Sequence, residues 1–304
     1  MLSQDRKARL APEQVSGRKR QEELYDMNPS AENTIRAWAL VTGASAGIGA
    51  EFCRQLAARG YNLVLVARRE DRMRQLATEL ESDHGAQSMI IPVDLSVPNA
   101  GTALAAKLAD AGVHIEFLVN NAGYGLAGHY LDPPWSDHAA FIQLMLVAVC
   151  ELTWRLLPAM QKQRKGYIVN VASLAGLVPS SAGHTLYGAS KAFLVRFSES
   201  LALENHTTGV RVSALCPGFT YSEFHDVSGT RALVSKMPAW MWMNAEEVVK
   251  FGIDAVMGKH LRVIAIPGRV NRLIAMLMRY LPAKAAHRLT QRTSRRFRAQ
   301  RTDE

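Results

Sequence analysis

The sequence predicts one α/β domain built on a doubly wound, parallel, seven-stranded sheet, and three observations predict it. Short apolar runs alternate with longer amphipathic segments from Ala37 onward. Most of those runs are continuously apolar, as strands are when helices cover both faces of their sheet. The first run leads into a glycine-rich turn that opens directly into a helical segment.

Taken in order, the strands are predicted at Trp38 to Val41, Leu63 to Ala67, Ser88 to Val93, Ile115 to Val119, Tyr167 to Val171, Val210 to Leu215 and Val263 to Ile266. Helices are predicted between them at Gly47 to Arg59, Arg69 to Ser82, Thr102 to Ala111, Ser136 to Gln163, Tyr187 to Asn205 and Ala245 to Gly258. Right-handed crossovers then place any ligand beyond the carboxyl ends of the strands. Residues 1–35 are polar and mixed in charge and read as a tail, 36–270 as the α/β domain, and 271–304 as a basic amphipathic segment. Residues 219–244 break the alternation. They hold Trp240, Met241, Trp242 and Met243, which could form a loop over a site, pack into the core or meet a subunit.

A chain of 304 residues that is 48% hydrophobic and 21% charged can bury a sizeable core. Its net charge of +9 is unevenly placed: residues 261–304 carry 11 Lys or Arg against 2 Asp or Glu, while the rest is close to neutral. Leu273, Ile274, Leu277, Met278 and Leu281 alternate there with Arg269, Arg272 and Arg279, a pattern open to peripheral contact with an anionic membrane or to packing on the body or on another subunit. No nucleic-acid-binding motif accompanies the charge. Cys53, Cys150 and Cys216 lie far apart inside apolar stretches and read as core residues of a reducing, cytoplasmic compartment. The N-terminal stretch is too polar for a signal peptide, and the apolar run Ala139 to Cys150 is too short to span a bilayer, so no membrane-crossing segment is expected.

The chemistry concentrates at strand ends. After the first strand, Thr42-Gly43-Ala44-Ser45-Ala46-Gly47-Ile48-Gly49 provides a tight bend in which Gly43, Ser45, Gly47, Ile48 and Gly49 let a pyrophosphate approach free amides at a helix N-terminus. The second strand ends in Ala67-Arg68-Arg69, where an acidic residue would bind the ribose 2′-hydroxyl of NAD. Arginine suits a 2′-phosphate instead, and Arg68 is the stronger candidate, Arg69 reading equally as the start of a solvated helix. Asp94 and the Asn120-Asn121-Ala122-Gly123 turn fall along the same crevice, though each alone is also an ordinary turn.

Ser173 follows the fifth strand, while Tyr187 and Lys191, four residues apart, share one helical face. A tyrosine near its ordinary pKa of about 10 is a poor base at neutral pH, so a close ammonium is needed to favour the phenolate, and Lys191 can supply it. The Ser173 hydroxyl can hold a substrate oxygen while a hydride moves between carbon and nicotinamide.

Those residues together resemble the short-chain dehydrogenase/reductase family over residues 37–270: TGxxxGIG at Thr42 to Gly49, NNAG at Asn120 to Gly123, Ser173, YxxxK at Tyr187 and Lys191, and Pro217-Gly218. Ala67 to Met73, Glu151 to Met160 and Cys216 to Phe224 are similar to its DltE-like bacterial branch. The resemblance implies a Rossmann-type sheet and an NADP(H)-dependent oxidoreductase acting on a carbonyl or secondary alcohol. It implies that Lys191 also binds the nicotinamide ribose, that the segment after Pro217 and Gly218, Ser222 included, contacts the carboxamide, and that two long helices pair in a homodimer or homotetramer. Trp240, Trp242 and their methionine neighbours suggest a hydrophobic ketone or 3-oxoacyl-like substrate. One position departs from the family: Met145 stands where an asparagine usually holds a water that links the lysine to solvent. Met145 is expected to shape an apolar pocket wall, with His184 a candidate polar substitute. A protein that binds NADP(H) without turnover, in a regulatory or scaffolding role, is the alternative this departure raises.

Overall fold

The computed structural model describes residues 36–126, 128–180, 182–183, 185–224, 237–282, 284–285 and 288. The expected N-terminal tail, His184 and the end of the basic segment lie outside them. Seven strands form one parallel sheet in the order β3-β2-β1-β4-β5-β6-β9: β1 (Trp38–Thr42), β2 (Asn62–Ala67), β3 (Ser88–Pro92), β4 (Ile115–Asn120), β5 (Gly166–Val171), β6 (Val210–Leu215) and β9 (Ile264–Ala265). The order reverses between β1 and β4, which opens a crevice at their carboxyl ends.

Alternate residues of each strand serve opposite faces, and both faces are apolar. Leu40, Val64, Leu118 and Ile168 point to one side, under Leu104 of α3 (Ala100–Asp110), Leu152 and Met160 of α4 (Trp135–Gln163) and Leu201 of α5 (Thr185–Glu204). Val41, Leu65, Phe117 and Val169 point to the other, under Phe52 and Leu56 of α1 (Gly47–Ala57), Leu80 of α2 (Glu70–His84) and Ile253 of α6 (Ala245–Met257). Each fully buried Leu or Phe adds about 2 kcal/mol of transfer free energy, so this two-sided burial is the chief source of the sheet's stability. The last strand is shorter than expected and pairs only at Ala214 and Leu215, which leaves little open edge.

Several boundaries differ from expectation for local reasons. The second helix starts at Glu70 because Arg69 is extended at its N-cap (φ −89, ψ 92), which turns the Arg69 side chain toward the glycine turn. α4 contains a π-turn at Gln143–Val147. It also corrects the expectation of a short apolar run, because apolar residues continue on both sides of Gln143. The helix is long and apolar enough to cross a membrane by length and composition alone, with a mean hydropathy of 1.6, yet it packs on β4, β5 and α3 as a layer of this domain. The region after β6 holds two short parallel strands, β7 (Phe219–Thr220) and β8 (Trp242–Met243). A further helix, α7 (Arg269–Tyr280), follows β9.

Candidate active site

Thr42 ends β1 and joins it to the turn after β4: its Oγ1 accepts hydrogen bonds from the amides of Asn121 (2.9 Å) and Ala122 (3.0 Å), while Asn121 Nδ2 donates to Thr42 O (2.9 Å). Gly43 has a φ of +69°, and a Cβ there would sit 2.8 Å from Asn121 Nδ2. Gly49 plays a different part from the one expected. It does not border the cavity; a Cβ on it would collide with Gly43 O, so its role is to let α1 pack against the turn. α1 begins at Gly47 behind an extended Ala46, with no side-chain cap and no acid in its first turn. Its first amides and the positive end of its dipole are therefore open to an anion.

Both arginines after β2 border the same cavity. Arg68 is 69% exposed and its Nη1 lies 4.0 Å from Asp94 Oδ2. Burial pushes the Asp94 carboxyl up, but hydrogen bonds from Ser96 and the charge of Arg68 outweigh it and hold the group below its usual range. Arg69 is the better anchored: its Nη2 donates to Ser45 Oγ (3.1 Å), and its Nη1 pairs with Glu223 (3.0 Å), which Arg72 also meets at 2.5 Å. Arg72 and Arg69 together hold the Glu223 carboxyl below its ordinary value. Sequence reasoning missed Glu223 and ranked Arg69 second, since the pair is 154 residues apart and no local pattern links them.

Across the crevice, Ser173 sits just past β5 with its Oγ accepting from Ala175 N (3.1 Å). Tyr187 is half-buried on α5; burial pushes its phenol up, and a hydrogen bond with Ser173 pulls the other way. Lys191 is 5% exposed, lies 5.6 Å from the Tyr187 ring centroid and donates from Nζ to Val171 O (2.8 Å). Burial pushes its amine down to about 8. Gly176 lets α5 come this close, because a Cβ there would meet the Lys191 backbone at 2.6 Å. Both groups are thus shifted toward their neutral forms, a phenol that keeps its proton beside an amine that gives one up readily.

These groups share one cavity of about 650 Å³. Gly43, Ser45, Gly47, Ile48, Arg68, Asp94, Asn121, Ala122, Gly123, Pro217, Gly218 and Ser222 border it along with Ser173, Tyr187 and Lys191. Pro217 O accepts from Leu174 N (2.8 Å), which ties the end of β6 to the Ser173 turn. Ser222 faces Gly47, its Cβ 3.0 Å from where a side chain on that glycine would begin. Leu144, Val178, Phe219, Phe224 and Met241 add an apolar stretch to the cavity wall.

Met145 is not part of that wall. It is buried behind it with Sδ against Gly123, and the preceding Leu144 faces the cavity. Of the aromatic and methionine cluster, Met241 alone borders the cavity and Met243 packs against the core, while Trp240 is 65% exposed and Trp242 stacks on Tyr221 with centroids 4.8 Å apart. Asn271 of α7 also borders the cavity, a contact the sequence did not suggest. The open amides, the close-approach glycines and the arginines beside Ser45 fit a dinucleotide that carries an extra phosphate on its adenosine ribose.

Comparison with known proteins agrees with this geometry. The family model for short chain dehydrogenase matches residues 37–231. A 7beta-hydroxysteroid dehydrogenase of Collinsella aerofaciens is 31% identical over 236 residues, covering 75% of this chain and 85% of that one. A very-long-chain 3-oxoacyl-CoA reductase of Bos taurus is 31% identical over 250 residues, covering 81% and 76%. Among solved structures, a short-chain dehydrogenase from Sphingobium yanoikuyae in complex with NADPH superposes with a TM-score of 0.71 at 30% identity, covering 81% of this chain and 96% of that one.

Proposed function

The chain belongs to the short-chain dehydrogenase family, and from that premise we propose that it interconverts a hydrophobic ketone and its alcohol with NADP(H), using Ser173, Tyr187 and Lys191. It is an oxidoreductase that moves a hydride between a nicotinamide cofactor and a carbonyl or alcohol group. The observation that carries the finer reading is the placement of Ser173, Tyr187 and Lys191 on one wall of the cavity whose other end is the uncapped start of α1.

The amides of Ser45 to Ile48 would hold the pyrophosphate, and Arg68 and Arg69 with Ser45 would hold the 2′-phosphate. Asp94 and the Asn121 to Gly123 turn line the crevice between, Lys191 takes the nicotinamide ribose, and Pro217, Gly218 and Ser222 take the carboxamide. A bound dihydronicotinamide supplies the hydride. Ser173 Oγ donates a hydrogen bond to the substrate carbonyl oxygen and fixes its position. Tyr187, which burial keeps protonated, donates its proton to that oxygen as negative charge develops there, and Lys191 stabilises the phenolate left behind. In the oxidative direction the same groups act in reverse. The apolar wall of Leu144, Val178, Phe219, Phe224 and Met241 supports a steroid-like or long-chain carbonyl substrate, in line with the two relatives' names.

The segments Ala67 to Met73, Glu151 to Met160 and Cys216 to Phe224 resemble the DltE-like bacterial branch and support assigning the chain to it. The catalytic domain runs over 36–270, between a polar tail and a basic C-terminal segment. A cytoplasmic homodimer or homotetramer forms through α4 and α5, where Val147, Trp154 and Phe193 are exposed and otherwise unexplained. Peripheral membrane contact belongs to the C-terminal segment.

Tyr187→Phe tests the mechanism. It is expected to leave NADPH binding by fluorescence titration nearly intact and to abolish cofactor oxidation across a panel of hydrophobic ketones. Full turnover by the variant would exclude the proposed role.

A further inference from the structure

We propose that α7 docks on the surface of an anionic phospholipid bilayer and so brings the rim of the substrate cavity to the lipid. Asn271 and Ala275 are buried against the body, with Ile274 and Met278 half-buried beside them. On the opposite side, Val270, Leu273, Met276, Leu277 and Tyr280 are between 39% and 77% exposed. At 3.6 residues per turn these five fall within an arc of about 120°. A helix that served only to cover the body would carry polar residues there; this one is apolar on both sides.

The charges around that stripe select the occupant. Arg269, Arg272 and Arg279 are exposed on the same helix, and Arg269–Tyr280 contains no acidic residue. A two-fold contact between copies through α7 would set these arginines against each other with no carboxylate on the helix to answer them. The chain's own end, residues 289–304, adds five arginines against two acids, so it does not neutralise them either. An anionic bilayer supplies both needs: acyl chains for the stripe, and phosphates for Arg272 and Arg279 on one side of it and for Arg269, which falls within its arc at the first turn and whose long stem can carry the guanidinium to the headgroups.

The location gives docking a use, and this part rests on the reaction proposed above. The Asn271 side chain borders the cavity, donates to Pro267 O (2.9 Å) and lies 3.4 Å from Met243 Sδ in β8. The β7 to β8 region that α7 touches also exposes Tyr221 and Trp240, amphipathic rings that suit a membrane interface. A hydrophobic ketone dissolved in the bilayer would reach the cavity without crossing water.

The test is co-sedimentation of the full-length protein with vesicles of phosphatidylcholine alone or of phosphatidylcholine with about one third phosphatidylglycerol. We expect binding to the anionic vesicles, weakened by added salt, and at least tenfold weaker for Leu273→Glu/Leu277→Glu and for Arg272→Glu/Arg279→Glu. Both variants should oxidise NADPH with a small water-soluble ketone at the parent rate, and only the parent should speed up, severalfold, on a long-chain 2-alkanone presented in anionic vesicles. Equal binding by parent and variants, or no binding to anionic vesicles, would overturn the proposal. So would a change of oligomeric state in the variants without loss of lipid binding, which would assign the face to a second copy. Inactivity of the parent on the water-soluble ketone would instead count against the reaction, leaving the sedimentation result to stand alone.

Discussion

Replacing Lys191 by methionine should make the apoprotein more stable while removing its activity. The amine is 5% exposed, and burial lowers its pKa from 10.5 to about 8. That drop corresponds to about 3 kcal/mol by which the fold disfavours the charged form. Below the folded value both folded and unfolded chains bind the proton, so the full penalty applies at neutral pH. Between about 8 and 10.5 the unfolded chain binds more protons, so unfolding free energy rises with pH and the penalty fades. Methionine keeps the apolar stem but forfeits the hydrogen bond to Val171 O, worth about 1 kcal/mol. The net expectation is a gain of about 2 kcal/mol at pH 7 that shrinks toward zero or below near pH 10. Urea unfolding of both apoproteins from pH 6 to 10, at matched protomer concentration, measures it. A variant less stable than the parent at pH 7, or a difference that ignores pH, would refute the claim that desolvation dominates at Lys191.

Met145→Asn should change turnover less than tenfold, about 1.4 kcal/mol in barrier, because the side chain lies behind the cavity wall; steady-state kinetics checks it. The same variant should lose about 2 to 4 kcal/mol of stability in denaturant, since a buried amide without partners replaces a methionine packed on Gly123. Gly49→Ala should cost about 1 to 3 kcal/mol through overpacking against Gly43 O and weaken NADPH binding more than tenfold by fluorescence titration, because the displaced turn carries the phosphate amides. Arg68→Asp should erase or reverse the preference for NADPH over NADH, and Arg69→Ala should reduce it in the same titration. Tighter NADH binding by the unmodified protein would contradict both.

The architecture was legible because a strand covered on both faces must be apolar at nearly every position, and each such run in the sequence marks a strand of the sheet. The glycine turn, Ser173, Tyr187 and Lys191 were legible as well, since bending a backbone toward a phosphate and pairing a phenol with an amine at helical spacing each demand particular residues locally. Distances across the chain were not. The grip of Arg69 on Ser45 and Glu223 depends on an extended N-cap at one site and on a loop 154 residues away. The place of Met145 was also hidden: the resemblance marks its position in the chain, but only the packing shows that Leu144 borders the cavity and Met145 is buried behind it.

The sequence by itself determined the order of strands and helices, the glycine turn and the Tyr187 and Lys191 spacing, and the basic character of the C-terminal segment, because these follow from composition and spacing within a few turns of chain. Tertiary structure alone decided which arginine is anchored, which side chains form the wall, how far burial moves the Tyr187 and Lys191 pKa values, and which face of α7 is left bare. Those properties depend on what residues distant in sequence remove from water, and local pattern carries no record of that.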